Sequence, residues 1–154
     1  MYSMLLFLHS VTRWLLLTGL VYAIGRGVAG WAGRRAFTRQ DNLVRHLTAT
    51  IAHIQLLIGY VLYFQSPLTA YFRAHAKEAS MPFEFRFFGW IHVLLMTVAV
   101  ILLTIGSAAA KRQAADARKF RTMTFWFLLA LLLIMAAIPW PFSPLAHRPY
   151  IRMF

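Results

Sequence analysis

Long runs of apolar residues, separated by short polar connections, dominate the pattern of this 154-residue chain. Each run is long enough to cross a hydrocarbon core of about 30 Å, which needs roughly 20 residues of α-helix. The runs predict four membrane-spanning helices, at residues 4–25, 43–65, 87–107 and 123–142. Because short connections place consecutive helices side by side, the pattern predicts an all-α polytopic membrane protein. We expect an antiparallel up-down-up-down four-helix transmembrane bundle that occupies residues 1–154 as one membrane domain.

Glycine and proline indicate where these helices end. Four glycines within residues 25–33 predict a flexible exit from the first span, and Pro67 predicts the end of the second. The 66–86 loop has the composition of a short amphipathic helix at the membrane surface. Residues 25–30 also spell the G-x-G-x-x-G dinucleotide motif. That motif requires a preceding β-strand, so here it is interpreted as part of the helix exit.

Positive charge is concentrated in the connections. The chain has 16 Lys and Arg against 4 Asp and Glu, and ten of the sixteen lie in two places: Arg26, Arg34, Arg35, Arg39 and Arg45, and Lys111, Arg112, Arg118, Lys119 and Arg121. Short basic loops stay in the cytoplasm. The distribution therefore predicts a multi-pass membrane protein with both termini and the 66–86 loop outside. Anionic lipids of the cytoplasmic leaflet are the expected partners of these cations, and nucleic acid is not.

Histidines at membrane depth carry the main functional signal. His9 and His92 each lie about five residues below the outer end of a different span, so they are predicted at matching depth. A b-type haem requires one axial imidazole on each side of its iron, and these two residues are the predicted ligands. Met96 is an alternative to His92. The competing interpretation is that each histidine only bonds a neighbouring helix. With no cysteine in the chain, iron–sulfur and c-type haem attachment are excluded.

Arg13 lies one turn below His9, and no predicted span contains an internal carboxylate to balance its charge. We expect its partner to be a haem propionate, a quinone oxygen, a lipid phosphate or an acid from another subunit; snorkelling to backbone carbonyls is the alternative. His53 and Gln55, on the second span, are assigned as quinone contacts, with a polar helix–helix contact as the alternative. The lack of intramembrane acids disfavours a proton-coupled transporter.

Several motifs together resemble a family of small four-span bacterial membrane proteins named "cytochrome B". The resemblance covers nearly the whole chain and is carried by Leu8-His9-Ser10, Arg13-Trp14, Gln55-Leu56-Leu57-Ile58-Gly59, Tyr63-Phe64-Gln65-Ser66-Pro67, His92, Ile105-Gly106-Ser107, Ile138-Pro139-Trp140-Pro141-Phe142 and Arg148-Pro149. It implies the four-helix topology, haem binding and a location in the bacterial inner (cytoplasmic) membrane. The family has a glutamate before the third-span histidine, where this chain has Ile91, so an acid that would orient the imidazole is absent.

Two functions are consistent with these observations. The first is an electron-transfer subunit of a respiratory or related redox complex, which holds one haem b between spans one and three and exchanges electrons with a quinone or a redox partner. The second is a non-catalytic accessory subunit of a larger membrane complex, with no haem. Both predict further membrane subunits as partners, and neither predicts independent catalytic activity.

Overall fold

A computed structural model describes residues 1–78, 80–143, 146 and 148–151. Its helices are α1 (Tyr2–Ala32), α2 (Arg39–Gln65), α3 (Pro67–His75), α4 (Phe83–Arg86), α5 (His92–Arg112) and α6 (Asp116–Ala137), and a π-helical turn at Phe87–Ile91 joins α4 to α5. Four segments are long and apolar enough to span a membrane: α1, α2, the continuous helix Phe83–Arg112, and α6. The described residues contain no β-strand. The predicted all-α fold with four spans is confirmed.

The four long helices form a closed ring. Helix α1 packs beside α2 and α6, and α5 packs beside the same two helices. Helices α1 and α5 therefore lie diagonally across the bundle, and side chains on both can point into one central space. This arrangement brings together residues that are far apart in sequence.

The outward faces of the ring are strongly apolar. Leu57, Phe125 and Leu132 are 65%, 61% and 59% exposed. A soluble protein rarely exposes so many large apolar side chains, whereas hydrocarbon solvates them well. The surface therefore fits a multi-pass membrane protein.

The interior differs between the two ends of the bundle. We call the half nearest Tyr2 the terminal half, and the half that contains the α1–α2 and α5–α6 connections the basic half. In the basic half, large side chains such as Leu20, Leu103 and Phe127 fill the centre with no exposed surface. The terminal half is less densely filled, and it contains the candidate site described below.

The glycines at the end of α1 are packing residues. The prediction of a flexible exit there is wrong, because α1 continues through Ala32. A Cβ atom at Gly27 would lie 2.2 Å from Thr124 Oγ1, and one at Gly30 would lie 2.4 Å from Phe120 Cζ. Both glycines thus allow α6 to approach α1 more closely than any side chain would permit, as small residues do in membrane helices.

Helices in the basic half extend beyond the predicted spans. Thr38 caps α2 by exchanging hydrogen bonds with Asp41, and Asp41 is buried and pairs with Arg26 at 2.7 Å. Arg26 and Arg45 were expected in the first basic connection, but they lie within α1 and α2. At the other end, α6 stops at Ala137, five residues before the predicted end of the fourth span.

The predicted amphipathic helix in the 66–86 loop is present as α3, which begins at Pro67 and ends at His75. It packs on the π-helical turn, where a Cβ at Gly89 would lie 2.3 Å from the ring of Phe72. The π-helical turn immediately precedes His92 and so sets the direction in which that residue faces. Single π-helical turns are frequent at functional sites.

Candidate functional site

A cavity of about 420 Å³ occupies the terminal half of the bundle. The predicted site residues His9, Arg13, Gln55 and His92 all line it, although they come from three helices. Most of the remaining wall is apolar, with Leu6, Leu56, Met96, Val100 and Ile134 among its residues. No carboxylate lines the cavity among the described residues, so its charge is positive. A largely apolar cavity of this size with a few polar groups is typical of a ligand site.

The His92 imidazole is oriented by the end of α6. Its Nδ1 donates to the carbonyl of Ala137 at 2.9 Å. This carbonyl lacks a helical partner because α6 ends there, so it is available to accept a hydrogen bond. With the proton held on Nδ1, Nε2 carries the lone pair, which is the arrangement found in metal-ligating histidines. Phe87 and Phe88 pack around the ring, with centroids 5.7 and 5.9 Å away.

The His9 imidazole is held between α1 and α2. A Cβ atom at Gly59 would lie 3.3 Å from His9 Cε1, so the ring occupies space that a larger residue would fill. Gln55 Nε2 donates to the His9 carbonyl at 3.0 Å and lies 3.3 Å from both ring nitrogens. The Gln55 carbonyl oxygen accepts from Thr12. For the His9 imidazole to bind a metal, the Gln55 amide would have to move away from the ring nitrogens. Gln55 could keep its bond to the His9 carbonyl while doing so.

Within the described part of the chain, Arg13 contacts Tyr150 and the Trp14 ring, whose centre lies 5.7 Å from the Arg13 Cζ. Its Nη2 donates to the carbonyl of Tyr150, which also accepts from Trp14 Nε1 at 3.0 Å. The Nε of Arg13 is buried and has no hydrogen-bond partner among the described residues. A buried guanidinium donor without a partner is costly, and an anion in the cavity would satisfy it.

The segment after α6 folds back over the cavity. Pro149 and Arg148 line it, and Arg148 pairs with Glu84 at the start of the third span. The Trp140 ring lies 6.0 Å from that of Trp14, centroid to centroid. None of these residues was predicted from the sequence to belong to the site. The motif segments around Trp140 and Arg148 were visible in the sequence, but nothing in their composition indicates that they fold back onto α1.

A hydrogen bond links α2 and α5 at the cavity wall. Tyr60 Oη and Thr97 Oγ1 lie 2.8 Å apart. Thr97 donates its proton to the Val93 carbonyl at 2.7 Å, so Tyr60 is the donor of the pair. The contact joins two neighbouring helices of the ring beside the site.

His53 and His46 lie outside the cavity. His53 is exposed on α2, where its Nδ1 contacts the Ala49 carbonyl at 2.7 Å and its Nε2 lies 3.2 Å from Thr104 Oγ1. The structure therefore does not bring His53 and Gln55 together as one quinone site. Gln55 bonds to α1 through both ends of its amide, which corresponds to the helix–helix contact raised as the alternative.

The cavity combines three kinds of group that could hold a cofactor. They are two imidazoles from diagonally opposed helices, a guanidinium whose Nε has no hydrogen-bond partner among the described residues, and apolar walls. Among the described residues there is no group of three or more His, Asp or Glu side chains that could hold a metal ion by themselves. A metal bound by two histidines here would need its remaining ligands from a cofactor.

No family model, curated protein or solved structure matches this chain. The function must therefore be argued from the geometry of the cavity.

Proposed function

We propose that the chain is a b-type haem-binding electron-transfer subunit of a redox complex in the bacterial inner membrane. One observation carries the proposal. His9 and His92, which are 83 positions apart in sequence, line the same large cavity from diagonally opposed helices. Burying two imidazoles in a largely apolar membrane cavity is costly, and a ligand bound to both would offset that cost.

Each lining group has a role in this proposal. His92, with Nδ1 bonded to Ala137, would ligate the iron through Nε2, and His9 would supply the second axial nitrogen. Arg13 would pair with a propionate through its free Nε. The apolar wall would contact the porphyrin and exclude water. Bound haem supplies one-electron redox chemistry, and the axial ligands and nearby charges tune its reduction potential.

The proposal includes an orientation and partners. The cations of the basic half favour a cytoplasmic position for that half, which would put the cavity near the outer surface. A single cofactor in one half of a core of about 30 Å does not reach the opposite surface. Electron entry and exit therefore require other membrane subunits or a lipid-soluble quinone, and the basic half contacts anionic lipids.

The second candidate is an accessory subunit without haem. A specific observation favours it: His92 bonds to Ala137, Gln55 bonds to α1, and Arg13 bonds to Tyr150. In this alternative, these polar side chains act as contacts between elements of the bundle, and the cavity is filled by lipid or by part of a neighbouring subunit.

Absorption spectra of three variants test the proposal. His9→Ala and His92→Ala should each abolish the b-type spectrum, because each removes one axial ligand. His46→Ala is the matched control, since His46 lies on the outer face of α2, away from the cavity, and it should retain the spectrum. A normal b-type spectrum in His9→Ala or in His92→Ala would remove that residue as a ligand.

A further inference from the structure

A second cavity lies in the basic half, about 270 Å³ in volume. It is formed by the start of α2, the end of α5 and the start of α6. Its lining residues are Phe37, Thr38, Arg39, Asn42, Lys111 and Lys119. Three cations from three different helices therefore line one concave site. A surface that is merely basic overall would not by itself bring them together.

Two of the three cations are free to bind a ligand. Arg39 and Lys111 form no ion pair with any described residue. Lys119 pairs with Asp116 at 2.8 Å, and its Nζ lies 5.6 Å from the centre of the Phe37 ring. Since one carboxylate opposes three cations, the site has a net positive charge that an anion would balance.

A buried arginine orients a neutral donor toward this site. Arg45 is 5% exposed, and its Nη1 donates to the Ser107 carbonyl at 2.8 Å. Its Nη2 donates to Asn42 Oδ1 at 2.9 Å. This bond holds the oxygen end of the Asn42 amide, and because Asn42 lines the cavity its Nδ2 is a neutral donor that a ligand there could use. No carboxylate pairs with Arg45 among the described residues, so its buried charge adds to the positive field.

The floor of the second cavity is fixed by packing. The Phe37 ring lies 4.8 Å from that of Phe120, which has no exposed surface. Phe37 thus anchors the short α1–α2 connection against α6. The cationic side chains therefore lie around a floor whose position is fixed by packing. This floor lies where three of the spans end.

We propose that this second cavity binds an anionic phosphate group, supplied either by the headgroup of an acidic phospholipid or by a soluble phosphate ester. Phosphate oxygens accept several charged and neutral hydrogen bonds at once, which matches two free cations beside an amide donor. The position at the ends of three spans is the depth at which lipid phosphates lie. This proposal stands independently of haem binding in the other cavity.

Native mass spectrometry of the full chain in detergent tests the site. The probes are dioctanoyl phosphatidylglycerol, dioctanoyl phosphatidylcholine and inorganic phosphate. We expect the anionic lipid to bind more tightly than the zwitterionic lipid. The double variant Arg39→Gln/Lys111→Gln should weaken phosphatidylglycerol binding about tenfold or more, because each nearby cation contributes roughly fivefold.

The control variant is Arg35→Gln/Arg112→Gln, which removes the same charge from positions that do not line the second cavity. It should change the affinity by less than about twofold, since its cations do not line the cavity and salt screens their interaction with a phosphate bound there. An equal loss in both double variants, or equal binding of the two lipids, would overturn the proposal. Circular dichroism checks that the variants fold. The single variant Lys111→Gln, at an exposed position, is a milder test and should lower the affinity for phosphatidylglycerol about fivefold.

Competition identifies the source of the phosphate. Displacement of bound phosphatidylglycerol by millimolar inorganic phosphate would support the site and assign it to a soluble phosphate ester. Retention of the lipid under the same conditions would support the site and assign it to a phospholipid headgroup.

Discussion

At the scale of single residues, the position of His9 depends on the absence of a side chain at Gly59. A Cβ there would lie 3.3 Å from His9 Cε1, which is closer than normal packing allows. We expect Gly59→Val to displace the imidazole, because overpacking costs about 1–3 kcal/mol. The affinity for haem should fall at least about fivefold, measured by haem transfer to an apo-globin acceptor. Gly25→Val is the control, since a Cβ at Gly25 has no neighbour within 4 Å.

Arg13 supplies the second prediction at this scale. Its buried Nε has no hydrogen-bond partner, and the cavity contains no carboxylate among the described residues. If a haem propionate is its partner, Arg13→Leu should lower the reduction potential by an amount on the order of tens of millivolts, because a nearby positive charge stabilises the reduced form. Redox titration measures this shift. Arg35→Leu removes a charge from the basic half and should leave the potential nearly unchanged.

Arg13 also shows what could be predicted from the sequence at this scale and what could not. That Arg13 lacks an acidic partner within the spans was predictable from the sequence alone. That the Tyr150 carbonyl reaches it was not, because the contact joins positions 137 residues apart through a chain segment with no periodic pattern. The matching depth of His9 and His92, which line one cavity, followed from a constant rise per residue, whereas the contact of Gln55 with His9 was not predicted.

At the scale of helices, the contact between α1 and α6 depends on two glycines. A Cβ at Gly30 would lie 2.4 Å from Phe120, whereas a Cβ at Gly25 would meet open space. We expect Gly30→Ala to destabilise the bundle by about 1–3 kcal/mol, because the buried Phe120 ring has no room to move. Gly25→Ala should be neutral or slightly stabilising, since alanine is the better helix former. Unfolding in sodium dodecyl sulfate titrations compares the two variants, and equal stabilities would contradict the packing argument.

Helix number and the end of α2 at Gln65, just before Pro67, were predictable from the sequence, whereas most other helix ends were not. Apolar length alone identifies four spans, since the bilayer sets a minimum. The glycines of α1 have low helix propensity and suggested an exit, but close packing on α6 outweighs propensity. The start of α2 at Arg39 depends on the Thr38 cap and on a buried pair between Asp41 and Arg26. The π-helical turn before His92 leaves no periodic signal in the sequence.

At the scale of the whole molecule, the charge distribution predicts orientation. The cations of the basic half should keep it in the cytoplasm, with both termini outside. An alkaline phosphatase domain fused after Phe154 should therefore be active, and a fluorescent protein that matures only in the cytoplasm should be dark at the same position. A fluorescent fusion with inactive phosphatase would reverse the orientation and put the cavity that contains His9 and His92 on the cytoplasmic side.

The haem content of the wild-type protein tests the central claim most directly. The full chain would be expressed in a bacterial host with sufficient haem, purified in mild detergent, and assayed by the pyridine haemochrome method and by its dithionite-reduced spectrum. Two imidazoles at one apolar cavity predict about one haem per chain and a sharp α-band at the b-type position. A folded, helical protein with a flat visible spectrum, which also fails to take up added haem, would contradict the claim.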